Sequence, residues 1–352
     1  MRIDFQVQRY ALLALVAAAL FGTGVPFAKL LLGEISPLIL AGLLYLGSGL
    51  GLCLLRFVRG AGDHPREARL ATRDWTWLAG AIVAGGVVAP VLLLWGLSGS
   101  GAVNASLLLN FEGVMTTLIA AVLFREAVGM RVWIAALVML AGGIILAYDP
   151  RAFAAISPQS LAILGACLGW AIDNNLTRKV SGADPLVTAM AKGLAAGSVN
   201  LSLGFALGGK LPELGILSSA LALGFFAYGV SLVFFIYALR HLGAARAGAH
   251  FSTAPFIGAA IAVPLLGEAI TPPLLAATGL MVIATWLVMT ELHAHKHAHE
   301  DLAHTHRHVH DQHHQHTHTG DEGTEPHVHE HVHENIQHSH PHAPDLHHRH
   351  EH

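Results

Sequence analysis

AAVLFREAV, residues 120–128, returns as AVPLLGEAI at residues 262–270, with Glu126 opposite Glu268, 142 positions apart. A second echo sets Ser36-Pro37-Leu38 against Asp184-Pro185-Leu186, 148 positions apart. Such self-similarity marks a chain built from two copies of one unit. Around the echoes lie apolar runs close to the ~20 residues that a helix needs to cross the hydrocarbon of a bilayer. Ten fit, at approximately 10–32, 36–58, 75–97, 101–124, 131–148, 159–180, 185–208, 214–239, 244–266 and 272–290. Each copy therefore holds five helices. An odd number of crossings turns the second copy upside down relative to the first, the arrangement of transporters that bind substrate near the midplane between the copies.

The expected fold is an all-α membrane protein. It has ten transmembrane helices arranged as two inverted five-helix repeats, residues 10–148 and 159–290, followed by a tail over 291–352. Composition supports this. The chain is 53% hydrophobic and 12% charged, half the charge content of an average soluble chain. Gly and Ala are abundant in the spans and let helices approach closely in lipid. Pro26, Pro90, Pro255 and Pro264 fall inside spans and are expected to kink or break them. The N-terminal run after Arg2 and Arg9 continues past Leu30, too long for a cleaved leader, and reads as the first span. Two cysteines, Cys53 and Cys167, both lie inside apolar runs, which excludes a disulfide scaffold and a Cys-based zinc site.

Orientation follows from Lys and Arg. With the N-terminus in the cytoplasm, the cytoplasmic segments hold Arg2, Arg9, Arg56, Arg59, Arg66, Arg69, Arg73, Arg125, Arg131, Arg178, Lys179, Arg240 and Arg246, against only Arg151 and Lys210 outside. Lys29 and Lys192 fall within helices. Both termini are thus expected on the cytoplasmic side of a plasma (inner) membrane. Neither half looks built for nucleic acid, which needs a basic surface. No nucleotide-binding loop or nucleophile elbow is present, so an enzyme is not expected.

SLLLNFEGVMTTLIAAVLFRE (106–126) with LAGGIILA (140–147), and HFSTAPFIGAAIAVPLLGE (250–268) with GLMVIA (279–284), resemble the drug/metabolite transporter superfamily, specifically its EamA-type members. The resemblance covers about residues 10–290 and both repeats. It implies ten helices, alternating access, and movement of a small molecule, commonly outward and coupled to protons. The aromatic-plus-polar stretch of the first helix in such proteins is matched by Phe21-Gly22-Thr23-Gly24. An Arg often found in the second helix is missing at Leu43–Leu46, and Lys192 sits nearly where it would fall in the second repeat. That departure leaves the charge of the substrate open. The tail lies outside the family pattern.

Glu112 lies near the middle of the fourth span. A carboxylate there is costly unless paired, wetted or protonated, so it is a candidate for proton or substrate binding, with a structural partner of a basic residue as the alternative. In the sixth span, Asp173-Asn174-Asn175 is followed by Thr177, and Asp173 and Thr177 share a helix face. That cluster lines a wet cavity if the span runs on, or forms an interfacial cap if the span ends near Ile172. Lys192 is a counter-charge for Glu112 or Asp173, or a snorkelling lysine. His250 is a proton carrier or ligand, or a helix–helix contact. Asn104, Asn110 and Asn200 read as interhelical hydrogen bonds. Glu126 and Glu268 read as helix-end residues.

The segment His293–His352 holds 23 of the 26 histidines. His304, His306, His308 and His310, and His327, His329, His331 and His333, alternate along the chain and suit zinc, nickel, cobalt or copper. Few of its residues could build an apolar core, so it is expected to be disordered without metal. Transport itself needs no cofactor. The expected partners are a small-molecule substrate, membrane lipid and divalent metal ions, with a homodimer as an option.

Three functions compete. The first is a secondary active transporter, an exporter of a metabolite or drug-like compound, with the tail as accessory. The second is a transition-metal transporter whose tail loads or senses the cargo, although the spans lack His or Cys clusters. The third is a non-transporting, membrane-anchored metal buffer or sensor, which ten helices and a midspan carboxylate argue against.

Overall fold

The computed structural model describes residues 5–59, 70, 72–123, 129–148, 157–180, 183–289, 293–298, 302–308, 327–333 and 337–342. The first half runs α1 (Phe5–Leu31), α2 (Pro37–Arg59), α3 (Asp74–Ala81), a π-helical segment (Ile82–Val88), α4 (Ala89–Ser98), α5 (Ala102–Leu108), α6 (Phe111–Leu123) and α7 (Met130–Ala147). The second half runs α8 (Pro158–Arg178), α9 (Pro185–Ala206), α10 (Leu214–Leu223), a second π-helical segment (Gly224–Val230), α11 (Ser231–Phe251), α12 (Ala254–Leu266) and α13 (Pro272–Met289).

The two halves break their helices at matching places. The π segments start at Ile82 and Gly224, 142 positions apart, the same spacing that separates Glu126 from Glu268. Each sits inside one long span, α3 to α4 in the first half and α10 to α11 in the second. The fourth span is interrupted at Leu109–Asn110, between α5 and α6, and its counterpart at Ser252–Thr253, between α11 and α12.

Packing is symmetric as well. α2 lies along α9, and α7 along α13. α1 packs on α11 and α12, while its counterpart α8 packs on α4 and α6. Exchanging the halves maps this set of contacts onto itself, as two copies of one unit require.

Among the described residues, seven helical stretches are long and apolar enough to cross a membrane: Gln8–Leu31, Pro37–Val58, Asp74–Ser98, Ala102–Leu123, Met130–Ala147, Pro185–Ala206 and Leu214–Ala238. Ala254–Leu266 and Pro272–Leu287 are apolar but shorter. α8 stands apart because its polar run, Asp173 to Thr177, lowers its hydropathy. Within α11 the rings of Phe235 and Phe251 approach to 4.4 Å, although sixteen residues of straight helix would span about 24 Å. The chain therefore turns back inside α11, and the expected spans 214–239 and 244–266 occupy its two arms.

The core runs where the halves meet. Leu40, Leu43, Leu44, Leu93, Leu94, Leu97, Leu107, Leu108 and Ile163 are almost wholly enclosed. α2 and α9 cross at glycines, where a Cβ on Gly193 would stand 2.6 Å from the Gly49 nitrogen. Lipid tails are as apolar as these side chains, so association depends on close fit, and glycines supply it.

Four segments of the tail are paired as strands. β1 (His293–Ala298) pairs antiparallel with β4 (Gln337–His342), and β2 (Leu302–His308) with β3 (His327–His333). Alternation at every second residue is a strand pattern, and Val328, Val332 and Thr305 favour strands. In the second ladder His304 is opposite His331, His306 opposite His329 and His308 opposite His327. His310 lies outside the described residues.

Candidate functional site

α8 is helical through Arg178, so the polar run Asp173-Asn174-Asn175 lies within the helix and does not form a cap after Ile172. Ser157 starts the helix by accepting a bond from the Ser160 nitrogen at 3.4 Å, and Pro158 follows at the position where a missing N–H costs nothing. α9 starts in the same way. The Asp184 carboxylate accepts from the nitrogens of Leu186 at 2.9 Å and Val187 at 3.4 Å. These caps fix the register of the two helices and with it the meeting of Asp173 and Lys192.

Lys192 Nζ donates to both oxygens of Asp173, at 2.6 and 2.8 Å, and to Thr177 Oγ1 at 3.2 Å. Thr177 in turn donates to Asp173 Oδ1 at 2.8 Å. Asp173 is 5% exposed and Lys192 7%. A buried charge is tolerated when paired and hydrogen-bonded, and the lysine turns inward to its partner. Asp173 also seats against backbone, since a Cβ on Gly85 would lie inside its carboxylate.

The first π segment explains how helix three takes part. In α-helix every interior carbonyl accepts from the residue four positions on, and a π turn disturbs that ladder. Gly85 O accepts from Tyr45 Oη at 2.6 Å and from Trp170 Nε1 at 2.9 Å. Gly86 O accepts from Asn200 Nδ2 at 3.1 Å. Tyr45, Trp170 and Asn200 come from α2, α8 and α9, so three helices are tied to one widened turn.

Glu112 opens α6, just past the interruption of the fourth span, and is half-buried. Asn174 Nδ2 donates to Glu112 Oε1 at 2.9 Å and to Thr116 Oγ1 at 3.3 Å. Thr116 donates to the Glu112 carbonyl at 2.8 Å, and Asn175 Nδ2 to the Thr116 carbonyl at 3.1 Å. The Glu112 carboxylate thus accepts from a neutral amide, while the lysine charge nearby is held by Asp173.

An aromatic group stands beside these polar residues. The Phe21 ring lies 6.2 Å from Trp170, 5.8 Å from Tyr228 and 5.4 Å from Phe251, and Tyr45 lies 5.6 Å from Tyr228. Trp170 and Asn174 are four residues apart and share a face of α8. The structure therefore assembles Glu112, Asp173, Asn174, Thr177 and Lys192 with Tyr45, Trp170 and Thr116.

His250 is not drawn into that network. It is half-buried in the last turn of α11, and its carbonyl accepts from Thr253 Oγ1 at 2.7 Å. Asn110 donates to the Leu107 carbonyl at 2.8 Å, and its own carbonyl accepts from Thr285 at 3.4 Å. Asn104 instead faces a cavity with Lys29 and Glu268. Glu268 accepts from the nitrogens of Ala102 and Val103. Glu126 lies outside the described residues. Among the described residues no group of three or more His, Cys, Asp or Glu is placed to hold a metal ion.

Tyr45, Trp170, Thr116 and Gly85 were not singled out from sequence. Gly85-Gly86 inside an apolar span was the available signal, because paired glycines there mark a distorted or closely approached helix.

The sequence pattern of the EamA-like transporter family matches residues 8–148 and 158–290. An uncharacterised transporter of Methanothermobacter thermautotrophicus is 26% identical over 263 residues, covering 70% of this chain and 76% of that protein. A solved structure, known only as the crystal structure of a protein, superposes with a TM-score of 0.60 at 19% identity, over 79% of this chain and 95% of its own. That likeness concerns the fold alone.

Proposed function

This chain belongs to the EamA-like transporter family, and from that premise we propose that it is a secondary active transporter exporting a metabolite or drug-like small molecule by alternating access. The observation that carries this reading is the half-buried Glu112 at the interrupted fourth span, with Asn174 rather than a cation on its carboxylate. The Asp173–Lys192 pair is internally neutral and holds α8 against α9. Glu112 is then the charge free to take a proton or a substrate group and to exchange one for the other. Thr177 steadies the neighbouring pair, and Asn174 orients the Glu112 carboxylate. The Lys and Arg distribution supports cytoplasmic termini in a plasma membrane.

A second reading, transport of zinc, nickel or cobalt, is favoured by the tail, where histidines of β2 stand in register with histidines of β3. In either reading the tail binds divalent transition metals from the cytoplasm. Membership of a transporter family argues against a mere anchored buffer.

One experiment separates these. Four strains carry empty vector, the full chain, a deletion after Glu291, and Glu112→Gln. Mass spectrometry reads organic compounds in the medium and zinc, nickel, cobalt and copper in the cells. Export of an organic compound by the full and tail-deleted chains, absent with Glu112→Gln, is the expected result. A metal whose cellular content follows Glu112 instead selects the second reading. Export unaffected by Glu112→Gln overturns the role of that residue.

A further inference from the structure

The tail repeats one arrangement over its four strands. β1 pairs with β4 from His293 opposite His342 to Ala298 opposite Gln337. β2 pairs with β3 from Leu302 opposite His333 to His308 opposite His327. From Ala298 to Leu302 the chain advances four positions, and from Gln337 to His333 the partner strand goes back four. The second ladder thus continues the register of the first without a slip.

That register matches histidine to histidine. Alternate residues of a strand share a face, and residues directly opposite in an antiparallel pair stand on the same face. In the second ladder one face carries His304 opposite His331, His306 opposite His329 and His308 opposite His327. The first ladder does the same, from His293 opposite His342 through His295 opposite His340 to His297 opposite His338. Each ladder therefore has three rungs of two histidines. A slip of one residue would set His304 against Glu330 or Val332 and leave no histidine rung in either ladder.

The face away from the second set of rungs holds Ala303 with Val332, Thr305 with Glu330 and Arg307 with Val328. The chain spells His329-Glu330-His331-Val332-His333, the H-E-x-x-H of zinc proteases. That motif works on a helix, where its glutamate acts as the base beside the metal that its histidines hold. On a strand Glu330 stands on the face away from His329 and His333. These histidines are placed for binding, without a base beside them.

Opposite residues of an antiparallel ladder have Cβ atoms ~4.5–5.5 Å apart. At that separation two imidazoles can meet on one ion, whose bonds to nitrogen are ~2.0–2.1 Å long. A two-stranded ladder is marginally stable alone in water, and these strands bring few apolar side chains to pack. A bridge across each rung supplies what packing does not, because binding an ion to a site that folding creates adds its free energy to folding.

We propose that each rung is a binding site for one divalent transition-metal ion, held by two imidazoles with water in its remaining positions, and that these ions fasten the tail into a single hairpin. Imidazole suits zinc, nickel and copper. The hairpin closes as metal becomes available, so the shape of the tail follows the metal content of the compartment it faces. This deepens the metal-binding reading of the tail given above and rests on it.

The test uses the full chain in detergent with zinc chloride as the probe. Isothermal titration counts the tightly held ions, and hydrogen exchange with mass spectrometry reads backbone protection over 302–308 and 327–333. One variant exchanges neighbours on β2: His304→Thr, Thr305→His, His306→Arg and Arg307→His. Its composition is unchanged, but two rungs are broken. A second variant adds Val328→His, His329→Val, Glu330→His and His331→Glu on β3, which rebuilds both rungs on the other face. Two of the tight ions, and zinc-dependent protection over both strands, are expected to be lost in the first variant and regained in the second. Equal binding and protection in all three chains overturns the hairpin and leaves the tail a metal binder of another kind. Loss in both variants overturns it as well, and so does loss of ions without loss of protection or the reverse. Zinc held no better by the full chain than by a deletion after Glu291 strikes the metal-binding reading itself.

Discussion

Two pairs of charges sit at different depths of this protein and are neutralised by different means. Inside the bundle, Asp173 and Lys192 neutralise each other, 2.6 Å apart on adjacent helices. At the outer end, Lys29 and Glu268 are neutralised by helix termini, the carbonyl end of α4 and the amide end of α5. A side-chain pair on neighbouring helices travels with them as they move. A side chain holding another helix's terminus must let go when the helices part. Buried ion pairs suit the fixed part of a moving machine, and helix-end contacts suit the part that opens.

The largest effect tests the ground on which both sites stand. Gly193→Val puts side-chain atoms where the Gly49 backbone lies, one residue from Lys192. We expect it to prevent α2 and α9 from packing and to abolish recovery of monodisperse protein, read by size-exclusion chromatography in detergent. Next comes the midplane pair. Lys192→Met leaves Asp173 buried without a counter-charge and should cost ~3–5 kcal/mol, whereas the double change Lys192→Met with Asp173→Leu should recover most of it. Unfolding midpoints of the three proteins in denaturing detergent would decide. If the single and double variants are equally weak, the pair does more than neutralise charge.

At the outer end a smaller cost is expected. Glu268→Gln keeps an acceptor but loses the charge at a helix start, worth about 1 kcal/mol, in the same unfolding assay. A cost as large as that of Lys192→Met would erase the distinction between the fixed and the opening pair. Smallest of all is removal of residues after Glu291, which should leave the unfolding midpoint of the bundle unchanged while abolishing retention on immobilised nickel. A lower midpoint would mean that the tail braces the membrane part.

Much of the fold was readable in the chain. Apolar runs of membrane length, an internal echo around Glu126 and Glu268, and an odd number of crossings per copy lead directly to two inverted five-helix repeats. Asp173, Lys192 and Glu112 stood out because ionisable residues inside apolar spans are rare and must be accommodated. Which residue each one meets was not readable, and Lys192 had two candidate partners and a third, snorkelling option. The π segments were not read from the chain because Ile82–Val88 and Gly224–Val230 are as apolar as the ordinary helix around them, and the Gly85-Gly86 pair was the signal passed over. The pairing of tail segments was not read from the chain, although a period-two pattern is present in His327–His333.

What the sequence determined by itself was an all-helical membrane protein built from two similar halves. That follows from hydropathy, length and repetition, properties each segment carries on its own. The tertiary structure alone decided that Lys192 turns to Asp173, that Gly85 offers its carbonyl to Tyr45 and Trp170, and that Lys29 and Glu268 grip one turn from two sides. Each of these joins groups from helices far apart in the chain. Such a contact depends on the helix register that packing sets, and no local pattern encodes it.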